Sequence, residues 1–223
     1  MTGGVTMELA NLQTASERAA AERSRVYQLL KLAFAFPDED LYDAVRDGSL
    51  ATALGEACAA LPYDVTGIVT SDLDVAPDAY ADFESEYIRL FDVGAAGPPC
   101  PLYDGVYVGD RMKVMEDATR FYNFFGLRVS PQMRELPDHI TAELEFLHYL
   151  TFREAEARQA GLDPSSLLRA ERDFLARHLC KWVPRLQAKL VKQTTVPFYP
   201  ALVRFAAAFF ERDRAYAAAA AGA

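Results

Sequence analysis

The sequence predicts an all-α fold, a single compact bundle of roughly eight to ten helices, on three observations. Apolar residues recur at spacings of three and four along most of the 223-residue chain. No period-two run of β-branched residues competes with them. Glycine and proline fall mainly between the periodic segments. With 51% hydrophobic and 25% charged residues the composition is that of a globular protein and excludes a disordered chain. A fold of this length buries about 70% of its unfolded surface, so it needs no disulfide or metal staple.

The elements follow in order. Ser16, with Glu17 behind it, is the expected N-cap of a helix reaching Phe36, with Val26, Leu29, Leu30, Ala33 and Phe34 on one face. Pro37 stops it, and Asp38 caps a short helix to about Asp47. A third helix spans about Leu50 to Leu61. Residues 62–77, with Gly67 and Pro77, read as a linker. The next helix, about Asp78 to Phe91, carries an aromatic stripe of Tyr80, Phe83, Tyr87, Leu90 and Phe91. The run from Gly94 to Pro101 fits neither a helix nor a sheet ladder. Helix resumes near Asp110 and closes at Gly126, a loop covers Pro131 to Pro137, and a long helix runs from about Asp138 to Ala160. Asp163 caps, and Pro164 opens, a helix to about Trp182. Pro184 kinks or restarts it, and a last helix spans about Pro197 to Tyr216. The expected organisation is a flexible N-terminus over 1–15, one helical domain over 16–216 with a hinge at 62–77 or 127–137, and an alanine-rich tail over 217–223.

Charge and cysteine usage narrow the function. Twenty-three Lys and Arg against 32 Asp and Glu give a net charge of −9. A phosphate backbone demands concentrated basic residues, so nucleic acid is excluded as a partner and a cationic one is favoured. Cys58, Cys100 and Cys180 lie far apart, without a metal-binding pair or a disulfide framework. They predict reduced thiols and, with no secretory signal and no membrane span, a cytoplasmic protein. Cys100, in Pro-Pro-Cys-Pro, is the thiol expected to be exposed.

The segment Asp138 to Leu150 concentrates polar chemistry. Asp138 is the expected helix cap, and His139 and Glu143, four apart, share a face; they read either as a half-buried histidine satisfied by Glu143 or as a polar cluster at the mouth of a groove that accepts donors from a basic ligand, and the two readings are compatible. Glu145 and His148 have metal-ligand spacing but point 120–180° away by the roughly 100° step of a helix, so the four do not meet one ion. His178 lacks ligating residues three or four positions before it. No nucleophile elbow and no phosphate-binding loop occurs. The reading is therefore binding rather than catalysis, without a cofactor or metal; a helical metal protein or enzyme built on His139, Glu143, Glu145 and His148 is the alternative.

Three ordered blocks resemble a known family. Glu86-Tyr87-Ile88-Arg89-Leu90-Phe91, followed by the Gly/Pro loop and Pro101-Leu102-Tyr103-Asp104-Gly105-Val106-Tyr107, is the first. Glu135-Leu136-Pro137-Asp138-His139-Ile140 with Glu143-Leu144-Glu145-Phe146-Leu147 is the second. Phe174-Leu175-Ala176-Arg177-His178-Leu179-Cys180-Lys181-Trp182-Val183-Pro184 with Pro197-Phe198-Tyr199 is the third. Together they resemble the TorD/DmsD/NarJ family, the dedicated chaperones of molybdenum-containing redox enzymes. The chain departs from the pattern at Leu102 to Gly105, where many relatives have Glu-Ser, and at Cys100, where many carry an aromatic residue.

The resemblance implies a non-catalytic helical protein that binds the immature catalytic subunit of a dimethyl-sulfoxide-reductase-type enzyme. The bound region would be its N-terminal part, often a twin-arginine leader, held until cofactor insertion. It implies peptide contacts at Tyr87, Leu90, Phe91, Pro99, Tyr103, Pro137, Asp138, His139 and Glu143. In that picture Leu90 and Phe91 floor a groove, while Asp138 and Glu143 pair with leader arginines. His148 and Phe152 fit the pattern of chaperones serving ethylbenzene, dimethylsulfide, selenate or chlorate enzymes. A monomer or a domain-swapped dimer is expected, exchanged through the 62–77 segment.

Overall fold

In a computed structural model, the protein is described over residues 14–68, 70–94, 97–128 and 135–222; most of the N-terminal segment expected over 1–15 and the middle of the segment expected as a hinge over 127–137 lie outside these. The described residues hold ten α-helices: α1 Ala15–Phe34, α2 Glu39–Arg46, α3 Ser49–Ala59, α4 Tyr80–Tyr87, α5 Asp104–Val108, α6 Arg111–Phe124, α7 Ile140–Gln159, α8 Ser165–Arg177, α9 Leu179–Leu190 and α10 Phe198–Ala220. No strand occurs among them; Tyr103 and His139 form an isolated antiparallel bridge.

Local chemistry sets the ends. Thr14, not Ser16, caps α1, accepting from the Glu17 amide at 3.2 Å. The helix ends at Phe34 instead of Phe36, because Ala35 is already extended ahead of Pro37. Asp38 caps α2 as expected, accepting from the Leu41 amide at 2.9 Å. The stripe helix divides. After Tyr87 the chain widens into one π-turn, Ile88–Asp92, whose Ile88 carbonyl accepts from the Val93 amide. The expected helix to Trp182 also divides, and not at Pro184. His178 (φ −117°, ψ −101°) leaves helical space between α8 and α9, while Pro184 lies inside α9. The alanine run continues α10 to Ala220, with Ala217 buried.

Helices α1 and α7 form the most extensive helix pair, and α10 packs on α8 and α9. The core joins Tyr27 and Phe34 of α1 to Phe146 of α7, Phe174 of α8, Trp182 of α9 and Phe198 to Phe210 of α10. Near the start of α1 the core holds an ionic cluster. Arg23, fully buried, donates Nε–H to Asp213 Oδ1 and Nη1–H to Glu154 Oε2, each at 2.6 Å, and Nη2–H to Glu171. Tyr27 and Tyr63 hydroxyls donate to the two Asp213 oxygens at 2.6 and 2.8 Å. One guanidinium thereby ties α1 to α7, α8 and α10 and, through Tyr63, anchors the 62–77 segment.

Candidate functional site

A cleft of about 1030 Å³ opens where the end of α1, the π-turn, the loop into α5 and the start of α7 converge. Its apolar wall is aromatic. Phe36, 51% exposed just past α1, packs edge-on to Tyr87 at 5.5 Å, and Tyr87 packs on Phe91 at 5.0 Å. The π-turn makes this possible. By delaying the backbone one residue it faces Tyr87 and Phe91 into the cleft, while Leu90 turns into the core and its carbonyl accepts from the Cys100 amide at 2.8 Å. Cys100 is consequently buried, correcting the expectation of an exposed thiol, and burial pushes that thiol up.

The polar wall is Tyr103, Glu135, His139 and Thr141. His139, rather than Asp138, caps α7: its Nδ1 accepts from the Thr141 amide at 3.3 Å. With Nδ1 accepting, the neutral ring carries its proton on Nε2, which lies 3.8 Å from Glu135 Oε2. Its partner is thus Glu135 and not Glu143. Burial lowers the imidazole to about 4, with Glu135 opposing the shift. The Tyr103 hydroxyl donates to Glu135 Oε2 at 2.6 Å, and its ring meets that of His139 at 4.8 Å. Lys31, Arg111 and Lys189 add cations to the rim, against Glu135 and Asp92. Lys31 is paired with Glu145, and the Arg111 guanidinium lies 5.1 Å over the Tyr103 ring.

Of the nine nominated contacts, Tyr87, Phe91, Tyr103 and His139 line the cleft, whereas Leu90, Pro99, Pro137, Asp138 and Glu143 do not. Asp138 and Glu143 are wholly buried and present no surface to a peptide, which corrects the expected pairing of these carboxylates with incoming arginines. Asp138 instead holds the mount of the cleft. Its Oδ2 accepts from the Gly105 amide at 3.2 Å, its carbonyl accepts from the Asp104 amide, and Ile140 N–H donates to the Leu102 carbonyl. These bonds clamp the α5 loop to the start of α7 and set Tyr103 beside His139. Only glycine fits at 105, where a Cβ would stand 2.7 Å from Arg111 Cγ and 2.9 Å from its Cα. Glu143 accepts from the Trp182 indole N–H at 3.0 Å, and His178 Nδ1 lies 2.8 Å from Asp104 Oδ2. Burial, with the Asp104 charge beside it, drives the Glu143 carboxyl well above its usual range.

The four residues of the alternative reading are dispersed. His139 faces the cleft, Glu143 the interior, Glu145 pairs with Lys31 at the surface, and His148 Nδ1 lies 2.8 Å from Ser24 Oγ. The sequence reading missed Phe36, counted as helix; Glu135, quoted in a motif but not nominated; and the buried set of Asp104, His178 and Trp182. Asp104, His178 and Trp182 all lay in the quoted blocks. Their convergence brings α5 to the break between α8 and α9, far apart in the chain, and has no spacing signature.

The profile of the family described as nitrate reductase delta subunit matches residues 43–188. The chain is 34% identical over 197 residues to the perchlorate reductase assembly chaperone protein of Dechloromonas aromatica, covering 85% of this chain and 87% of that one. It is 32% identical over 199 residues to the dimethyl sulfide dehydrogenase assembly chaperone protein of Rhodovulum sulfidophilum, covering 84% and 76%. It is 25% identical over 185 residues to chaperone protein TorD of Vibrio parahaemolyticus, covering 79% and 84%. Two of the three resembling blocks fall inside the matched span, and the third begins there. The chain belongs to the nitrate reductase delta subunit family, the NarJ/TorD-type redox-enzyme maturation chaperones, which are not catalysts.

Proposed function

We propose that this chain is a system-specific assembly chaperone. It binds the immature catalytic subunit of a dimethyl-sulfoxide-reductase-type molybdoenzyme through that subunit's N-terminal region and holds it for cofactor insertion. The observation that carries the reading is the cleft itself, a preformed aromatic trough beside an accessible carboxylate pair. An export leader offers a matching ligand, an arginine pair next to an apolar, helix-prone stretch. Phe36, Tyr87 and Phe91 would take the apolar part at about 25 cal/mol per Å² buried. Glu135, oriented by the Tyr103 hydroxyl, and exposed Asp92 would accept the guanidinium groups. The net charge of −9 assists capture of a cationic segment. Names of relatives favour the perchlorate, chlorate, selenate and dimethyl sulfide enzyme group as client class. Among the described residues no helix is long and apolar enough to cross a membrane; we place the protein in the cytoplasm, where such a client is made.

The test is co-purification from the native host with bound proteins identified by mass spectrometry. The reading expects a cofactor-free molybdoenzyme subunit with the wild-type chain, and its loss with a Phe36→Ala, Glu135→Gln pair of substitutions. Recovery of the same subunit by both proteins would move the binding surface elsewhere.

A further inference from the structure

Beneath the cleft, α5, α7 and α9 enclose a polar cluster with none of the closure seen around Arg23. Asp104, Glu143 and the His178 that separates α8 from α9 are all buried, and each offers one ligand atom within 4.8 Å of the others. His178 Nδ1 stands 2.8 Å from Asp104 Oδ2 and 3.7 Å from Glu143 Oε1. Three buried carboxylate oxygens, Asp104 Oδ1, Asp138 Oδ1 and Glu143 Oε1, accept no hydrogen bond. The nearest cation to Asp138 is Arg111, 3.9 Å away and half exposed. Desolvated carboxylates without partners are costly, and each such orphan requires an explanation.

We infer that Asp104, Glu143 and His178 form a binding site for one divalent first-row transition ion, of which zinc is the representative. The donor set, one imidazole nitrogen and two carboxylate oxygens, suits such an ion. The outer partners are in place as well. The Trp182 indole N–H fixes the far oxygen of Glu143 at 3.0 Å. On the other side of the ring, His178 Nε2 lies 3.3 Å from Asp117 Oδ2 without a hydrogen bond, while Nδ1, hydrogen-bonded to Asp104 Oδ2 at 2.8 Å, is the nitrogen turned to the carboxylates, so that an ion bound there would take the place of the proton between them. Phe174 and Phe121 pack against the imidazole and keep the surroundings apolar. A second cleft of about 520 Å³, distinct from the aromatic one, reaches His178 and is lined by three carboxylates, among them Asp117, and by four basic side chains, among them Arg177 and Lys181. An ion there would cross-link α5 and α7, which border the cleft's polar wall, to the break between α8 and α9.

Tag-free full-length protein, stripped with chelator and dialysed, is titrated with Zn²⁺ by calorimetry and with Co²⁺ by visible absorption. The inference predicts one saturable ion per chain with a histidine–carboxylate cobalt spectrum. It predicts affinity weakened at least about tenfold by Glu143→Gln, which keeps an acceptor for Trp182 and is checked for folding by circular dichroism. His148→Gln, at a histidine hydrogen-bonded to Ser24 away from both sites, leaves affinity unchanged. Absence of saturable uptake by the folded wild type, or uptake insensitive to Glu143→Gln, overturns it. If that variant does not fold, anomalous diffraction at the zinc edge from wild-type crystals decides: a peak within bonding distance of His178 Nδ1 supports the site, and a peak elsewhere only, or none, overturns it. Peptide binding measured in chelator tests the aromatic cleft separately, so the two readings fail independently.

Discussion

Helices α1 and α7 run antiparallel, and their two ends are used differently. At the end where α1 begins, Arg23 meets Glu154 of α7 together with Glu171 and Asp213, every guanidinium nitrogen is engaged, and no side chain of that cluster reaches solvent. At the end where α1 stops, Ala35 and Phe36 leave the helix, α7 begins on an imidazole cap, and the space between becomes the aromatic cleft. The same two helices thus carry a sealed end and an open one. The difference teaches where the chain spends stability and where it withholds contacts: a filled ionic core fixes the bundle, so the opposite end can leave aromatic surface uncovered for a partner.

The comparison breaks most visibly at the sealed end. Arg23→Met strands three buried carboxylates and should cost about 3–5 kcal/mol in urea unfolding, with peptide affinity unchanged per folded molecule. Loss of affinity without loss of stability would reverse the roles assigned to the two ends. Asp138→Ala, in the mount under the cleft, removes the acceptor of a buried amide and should cost about 2 kcal/mol by the same assay. Because Tyr103 and His139 are then no longer clamped together, affinity for a leader peptide should fall as well; stability lost with affinity intact would detach the mount from binding. At the open end Phe36→Ala should lower peptide affinity about tenfold while shifting stability by less than about 1 kcal/mol. A stability loss of several kcal/mol would mean that Phe36 is core.

The subtlest effect, spread over a range of pH, belongs to His139. His139 is held near 4 in the fold by burial, while an unfolded chain protonates it near 6.5. Above that pH the imidazole is neutral in both states and contributes nothing. As pH falls from about 6.5 towards 4 the unfolded state gains a proton that the folded state refuses, so wild type loses stability, by at most about 3 kcal/mol. His139→Gln should lack that component. Unfolding curves of the two proteins at stepped pH should therefore converge on acidification across this window; parallel curves would remove His139 from its buried, neutral state.

How much of this was legible follows from what each feature depends on. Helix identity was readable because apolar spacing and stop residues are local: Asp38, Gly126 and Gly161 act where they stand. The break at His178 was not, since nothing local favours it over Pro184; it follows from the ring turning inward to Asp104. The cleft was half readable. Tyr87, Phe91, Tyr103 and His139 came from motif blocks, yet the same blocks nominated Asp138 and Glu143, because residue type shows a charge but not which side of a backbone it faces. Phe36 was hidden by a helix that ends two residues early. Arg23, in a polar-looking N-terminal helix, gave no sign of being the most enclosed cation described, since its three carboxylates arrive from α7, α8 and α10.

The central claim, that the open end receives the client's N-terminal region, is tested most directly by site-specific crosslinking. A photoreactive benzoylphenylalanine replaces Phe36 in one protein and Phe124, exposed but outside the cleft, in another. Each is irradiated with the client subunit recovered by co-purification, and the crosslinked peptides are sequenced. The account predicts crosslinks from position 36 that fall within the leader or first residues of the subunit, and none of these from position 124. Client peptides crosslinked from position 124 but not from position 36 would contradict it.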